Sequence, residues 1–230
     1  MREIVLDTET TGMDPAEGDK LVEIGCVELE NHMPTGRTYH QYINPERDVP
    51  AEAVAVHGLT YDRLKKEPTF GEVVGDFLDF LGNDTKLIIH NAEFDMKFIN
   101  AEIKTYGFAS IDPKRVIDTL AMARKKFPGS PANLDALCRR FNVDNTGRTL
   151  HGALLDSELL AEVYMELLGG RQRGLEIEPA RETVTEELHV SVTKKRVFKE
   201  PREFEVSAEE LEAHQKMMDD LNNPIWKKIS

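Results

Sequence analysis

The sequence predicts an α/β domain: a mixed sheet, with an antiparallel meander followed by parallel strands, flanked by helices and extended by a C-terminal tail. Three observations predict it. The chain opens with three strand-like runs in succession, and strand and helix patterns then alternate as far as residue 168. The pattern breaks at Gly169-Gly170, beyond which the chain is charged and sparsely apolar. Successive strands joined by short turns pair antiparallel, whereas strands separated by helices return parallel, which makes the sheet mixed.

Residues 2–8 (REIVLDT) read as a buried strand. Strands over 20–29 and 37–43 follow, separated by the turn-like NHMPTG, which is a meander signal. A Pro-marked stretch then carries short helices over 51–56 and 60–66. In 70–81, Phe70, Val73, Val74, Phe77, Leu78 and Leu81 recur at helical spacing. A short buried strand over 86–90 leads to a helix over 94–106 and a strand over 115–118. Helices over 119–126, 133–141 and 152–168 complete a domain spanning 1–168. Residues 169–206 read as a flexible linker, since they offer too few apolar groups for a core. Order is expected to return at Ser207, where Ser207 and Glu210 form a capping-box pattern opening a helix. The end of the chain holds the single tryptophan, Trp226.

A chain of 230 residues accommodates one sizeable core and an appendage. It is 40% hydrophobic and 31% charged, the composition of a soluble globular protein. It has no apolar run of about 18 residues to span a membrane, and its first residues lack the long apolar stretch of a secretion signal. Cys26 and Cys138 sit in apolar patterns and read as buried free thiols, which fits a reducing cytoplasm. The net charge is −13, of which residues 1–170 carry −11. That acidity argues against autonomous nucleic-acid binding through a basic footprint. A site built of carboxylates contributes such charge itself, and bound divalent cations invert its field.

Three short stretches carry the chemistry. In DTETTG (7–12), Asp7 and Glu9 lie two apart on a strand and so share a face, beside the apolar Ile4, Val5 and Leu6. Two carboxylates there are costly without a cation between them; alternatively, Asp7 opens a turn and Glu9 faces water. HNAEFD (90–95) follows a buried strand, at the end of a sheet where α/β sites form, with Asn91 placed to cap a helix and Asp95 in its first turn. An acid there can also serve only the helix dipole. In HGALLDSELLAEVY (151–164), Asp156 stands among leucines, and His151 falls in the loop before its helix, where Thr149 or His151 itself could cap. A loop histidine suits a general base. Oxygen-rich clusters of this kind suit Mg²⁺ or Mn²⁺.

These three stretches, in this order and spacing, resemble the exonuclease motifs of the DEDDh (DnaQ-like) family over residues 1–168. VHGLT (56–60), PTFGEVVGDFLDFL (68–81) and SPANLDALCRRFNVDNTGRTLHGALLD (130–156) make the chain most similar, within that family, to the proofreading epsilon subunits of bacterial DNA polymerase III. The resemblance implies a ribonuclease H-like fold and a 3′→5′ exonuclease. It implies that Asp7, Glu9, Asp95 and Asp156 bind two divalent cations, with Asp7 bridging, and that His151 deprotonates the attacking water. It offers Thr10, Thr11, Gly12, His57, Asn91 and Phe94 as contacts to the terminal nucleotide, although Phe94 can equally pack on the core. It implies that 207–230 bind the polymerase III alpha subunit and leaves room for a small accessory subunit. Gln172, Leu175 and Ile177 have the spacing of a sliding-clamp motif, without the aromatic that many carry. RNA exonucleases of the same superfamily, oligoribonuclease or RNase T-like, share the same metal site and are the rival reading. A purely non-catalytic adaptor is disfavoured by the presence of all five catalytic positions.

Overall fold

The centre of the sheet is built from strands whose apolar side chains are buried on both faces. In the computed structural model, which describes residues 1–170 and 206–220, β1 (Arg2–Thr10) fully buries Ile4, Val5 and Leu6. β2 (Leu21–Glu30) pairs antiparallel with β1, and β3 (Met33–Tyr42) antiparallel with β2. β4 (Lys86–Ile89) runs parallel to β1, and β5 (Val116–Asp118) parallel to β4. The strand order is β3-β2-β1-β4-β5, the mixed sheet that the sequence predicts. β1 is central, so carboxylates near its C-terminal end stand mid-sheet.

The period of two along β1 divides the core. Ile4 and Leu6 join a cluster with α3 (Phe70–Leu81) and α4 (Ala92–Thr105). Val5 joins the opposite cluster, with α5 (Thr119–Lys126), α6 (Leu134–Phe141) and α7 (Ala153–Leu167). Asp7 and Glu9 share the parity of Val5 and therefore stand on the α7 side. α1 (Ala51–His57) and α2 (Tyr61–Leu64) lead into a smaller cluster of Val22, Leu59 and Leu64.

Gly25 sets how closely α7 approaches. It lies opposite Asp7 on β2, and a Cβ there would stand 2.2 Å from the backbone of Ala153 and Leu154. The missing side chain lets the first turn of α7 rest on the strand, and the Ser157 hydroxyl donates to the Gly25 carbonyl at 2.9 Å. Gly25→Ala must push backbone against backbone. It is expected to cost about 1–3 kcal/mol or more, read by urea denaturation, and to displace Asp156 from Asp7.

Several boundaries differ from the sequence expectation. β3 begins at Met33, so only Asn31 and His32, both at positive φ (52° and 68°), make the turn instead of the six-residue stretch. Pro34 and Gly36 read as turn residues, but an exposed edge strand tolerates both. β1 continues through Thr10, which places Glu9 inside the strand. α4 starts at Ala92, and α2 is a single turn. Asn91 occupies the N-cap position at φ 63° but makes no side-chain cap. Gly152, not Thr149 or His151, precedes α7. Both cysteines are buried and free.

The chain divides into two compact units, Met1–Ile177 and Glu178–Ser230. In the second, α8 (Ala208–Asp220) opens with the anticipated box: Ser207 N–H donates to Glu210 Oε2 at 3.0 Å, and Glu210 N–H to Ser207 Oγ at 3.3 Å. Most of the expected linker, with Gln172, Leu175 and Ile177, and also Trp226 lie outside the described residues. Among those described, no helix is long and apolar enough to cross a membrane.

Candidate active site

The C-terminal end of β1 and the first turns of α4, α6 and α7 border one cavity of about 820 Å³. Asp7 and Glu9 enter it from β1, Asp95 from α4 and Asp156 from α7, with His151 on the loop before α7. Thr10, Thr11, Gly12, His57, Asn91 and Phe94 line the same cavity. Every catalytic, metal and nucleotide-contact candidate of the nuclease domain is thus brought to one place. Ligand atoms of Glu9, His151 and Asp156 lie within 4.8 Å of one another.

The four carboxylates are not equivalent. Asp95 is anchored: its Oδ1 accepts from Thr8 N–H at 3.1 Å and from the Thr8 hydroxyl at 2.7 Å. Asp156 is held by Arg148, whose Nε and Nη2 donate to its two oxygens at 2.5 and 2.6 Å. Asp7 and Glu9 accept no hydrogen bond from any described residue. Burial, and then the charges of Asp95, Glu9 and Asp156, hold the Asp7 carboxyl well above the usual range. Burial and then Asp156 push Glu9 up to about 8. Burial also raises Asp95 to about 7, against the lowering effect of the Thr8 bonds. Unbonded, crowded carboxylates facing a cavity are what a divalent cation relieves, so the donor set fits oxygen-ligated metal.

The nucleotide-contact candidates divide in two. The Thr10 hydroxyl donates to Gly12 O at 2.6 Å. The Thr11 hydroxyl donates to Asp19 Oδ1 at 3.2 Å and accepts from Lys20 N–H at 3.0 Å. A Cβ on Gly12 would collide with Asp19 at 2.2 Å. Thr10, Thr11 and Gly12 therefore make contacts that shape the loop, and they also line the cavity. His57 is buried, its Nδ1 accepts from Leu59 N–H at 3.0 Å, and its other nitrogen lies toward the Thr10 backbone. Burial lowers its pKa, and its Nε2 is buried with no hydrogen-bond partner among the described residues. Phe94 packs against Phe98, ring centroids 5.1 Å apart, and also lines the cavity. Asn91 uses its backbone N–H on Asp118 Oδ1 at 3.1 Å, which leaves its side chain exposed.

Sequence reasoning did not single out Arg148, Asp135, Thr8 or Asp118. Arg148 also donates to Asp135 Oδ1 at 2.9 Å and to His151 Nδ1 at 3.0 Å. Asp118 caps α5 through Leu120 N–H at 2.9 Å and ties that cap to Asn91. The available signal for Arg148 was its place three residues before His151.

The family model described as exonuclease (RNase T) matches residues 4–164. The DNA polymerase III subunit epsilon of Rickettsia conorii is 57% identical over 175 residues, covering 75% of this chain and 76% of that protein. The subunit of the same name from Escherichia coli K12 is 42% identical over 233 residues, covering 95% and 92%. Among solved structures, the nuclease domain of a DEDDh family member bound to rAMP superposes with a TM-score of 0.62 at 23% identity, covering 75% of this chain and 94% of that one, and so shares the fold. Enzymes of this family depend on divalent metal, in agreement with the unbonded carboxylates of the cavity. On the strength of a family match across most of its length and of relatives this similar, the chain belongs to the DEDDh (DnaQ-like) 3′→5′ exonucleases, in the branch of the DNA polymerase III epsilon subunits.

Proposed function

We propose that this chain trims mispaired 3′ ends of DNA during replication, as the proofreading exonuclease associated with DNA polymerase III. The observation that carries the proposal is the convergence of Asp7, Glu9, Asp95, Asp156 and His151 on one cavity large enough for a nucleotide. In this reading the four carboxylates hold two divalent cations, Mg²⁺ or Mn²⁺. Held there, such cations would supply charge stabilisation for the phosphodiester and a lowered pKa for bound water. His151, exposed at the rim, takes a proton from the water that attacks the terminal phosphorus. A new P–O bond forms, the P–O3′ bond breaks, and the products are a nucleoside 5′-monophosphate and a strand shortened by one unit. Thr8 keeps the Asp95 carboxylate in place. Phe94 offers its ring to the terminal base, a contact worth about 1–3 kcal/mol in single-strand sites.

In the same reading residues 1–168 form the nuclease, 169–206 link it, and 207–230 dock on the polymerase III alpha subunit. Gln172, Leu175 and Ile177 touch the sliding clamp, and a small accessory subunit has room on the nuclease domain. All of this takes place in the cytoplasm. Tethering answers the acidity of the chain: a linked nuclease meets the primer end at about millimolar effective concentration, so a weak grip on DNA suffices. A timed digestion tests the function. With Mg²⁺, a primer mispaired at its 3′ end should release mononucleotides faster than a matched one, and EDTA should stop both. A strong preference for RNA over DNA of the same sequence would transfer the chain to the RNA exonucleases.

A further inference from the structure

The site already contains a cation of its own. Arg148 lies on the loop between α6 and α7, yet its side chain is only 8% exposed. Its guanidinium spans both oxygens of Asp156, itself 4% exposed, through Nε at 2.5 Å and Nη2 at 2.6 Å. Nη1 donates to Asp135 Oδ1 at 2.9 Å, and Nη2 reaches His151 Nδ1 at 3.0 Å. A guanidinium has no acceptor atom, so Nδ1 must present its lone pair to it, which in a neutral imidazole leaves the proton on Nε2. The basic nitrogen of His151 is therefore engaged. So are both oxygens of Asp156, which with Glu9 and His151 make up the set whose ligand atoms lie within 4.8 Å.

These contacts compete with the roles given to the same atoms. The forked arginine takes one lone-pair site on each Asp156 oxygen and sets a fixed positive charge where a divalent cation would approach, and the His151 Nδ1 lone pair that accepts from Nη2 is not free to take a proton. The pairing is also incomplete as a structural ion pair: it serves Asp156 and Asp135 and leaves Asp7 and Glu9 with no hydrogen bond from a described residue. We propose that Arg148 is an exchangeable internal counter-ion, which occupies Asp156 and engages His151 Nδ1 in the metal-free protein and swings away from both when a divalent cation takes Asp156. The inference rests on the metal-dependent reading of the cavity. Asp135 supplies the anchor to which the displaced side chain stays attached: it lies outside the carboxylate cluster on α6, half exposed, and also accepts from Asn145 Nδ2 at 3.1 Å. Arginine does not deprotonate in proteins, so the exchange is a movement of the side chain and not a titration.

The consequence is opposite to that of a residue which supports metal binding. Calorimetric titration of the full chain with Mn²⁺ is expected to give a dissociation constant about tenfold or more lower for Arg148→Gln than for the unsubstituted protein, because a bidentate charge-assisted competitor is removed. In EDTA the same variant should melt at a lower temperature, and saturating Mn²⁺ should narrow the difference. If Arg148→Gln does not fold, Arg148→Lys carries the test, since an ammonium cannot fork across both oxygens and should compete less. In the unsubstituted protein, Mg²⁺ addition should shift the ¹⁵N resonance of His151 Nδ1 as its hydrogen bond from Arg148 is lost. Equal or weaker Mn²⁺ binding by the arginine variants, or an Nδ1 resonance unmoved by saturating Mg²⁺, overturns the inference. If the unsubstituted protein binds Mn²⁺ and Asp7→Asn weakens that binding, the metal reading stands whatever Arg148 does. If it binds none, both fall together.

Discussion

Asp7→Asn is expected to abolish exonuclease activity and, in the absence of metal, to make the protein more stable. Asp7 stands at the centre of the crowded carboxylates, with no hydrogen bond from a described residue, and burial, then Asp95, Glu9 and Asp156, raise its pKa. An amide there cannot hold a divalent cation as a carboxylate does. Losing that charge stabilisation, worth several kcal/mol, should lower the rate by about a thousandfold or more. Stability moves the other way for the same electrostatic reason. Asp7, Glu9 and Asp95 are all raised, the last two to about 8 and about 7, so between their ordinary values and these the folded state binds more protons than the unfolded one. Stability conferred by the protonated groups is therefore complete at acid pH and is lost as pH rises through that window. Melting curves in EDTA at pH 5 and pH 8 should show a fall for the unsubstituted protein and a shallower one for Asp7→Asn. The variant's gain at pH 8 should be on the order of 5 °C, from about 1–3 kcal/mol of relieved desolvation at about 2–4 °C per kcal/mol. Saturating Mg²⁺ should flatten the pH dependence of the unsubstituted protein, since metal and protons compete for the same oxygens. An Asp7→Asn protein that keeps its activity would refute the assignment.

His151→Gln is expected to lower kcat by about 10²- to 10⁴-fold with KM little changed, the loss typical of a removed general base. The fold should survive, because the side chain is 49% exposed and belongs to no core cluster. The loop keeps its place by other means: the His151 N–H donates to Val56 O at 3.1 Å, tying it to α1. Steady-state kinetics on a single-stranded oligonucleotide distinguish this from a binding defect. A variant with raised KM and unchanged kcat would make His151 a substrate contact.

The carboxylates were legible in the sequence because each breaks a strong local pattern. Asp7 and Glu9 come directly after the apolar run Ile4-Val5-Leu6, Asp95 lies in the first turn of the helix that follows a buried strand, and Asp156 stands among leucines. Buried charge in such places demands an explanation. Arg148 gave no such warning. An arginine in a polar loop reads as solvated, and only the fold-back of that loop against α6 and α7 buries it between two aspartates. Gly25 was silent too, since a glycine within a strand shows its purpose only when the backbone resting on it is known. The loop bonds of the Thr10 and Thr11 hydroxyls, to Gly12 O and Asp19 Oδ1, were not legible, because they form through a turn that residue order alone does not place.

The docking of α7 has a consequence for synthesis of the protein. Ser157 reaches Gly25 across 132 positions of the chain, and Tyr164 donates to Glu3 Oε1 across 161. Contacts so distant in sequence close late, after the intervening chain has been ordered. The helix bearing Asp156 is also the last of the nuclease domain to leave the ribosome. If the four carboxylates act together as proposed, a nascent chain with β1, β4 and α4 in place holds only three of them, and hydrolytic capacity arrives with the finished domain.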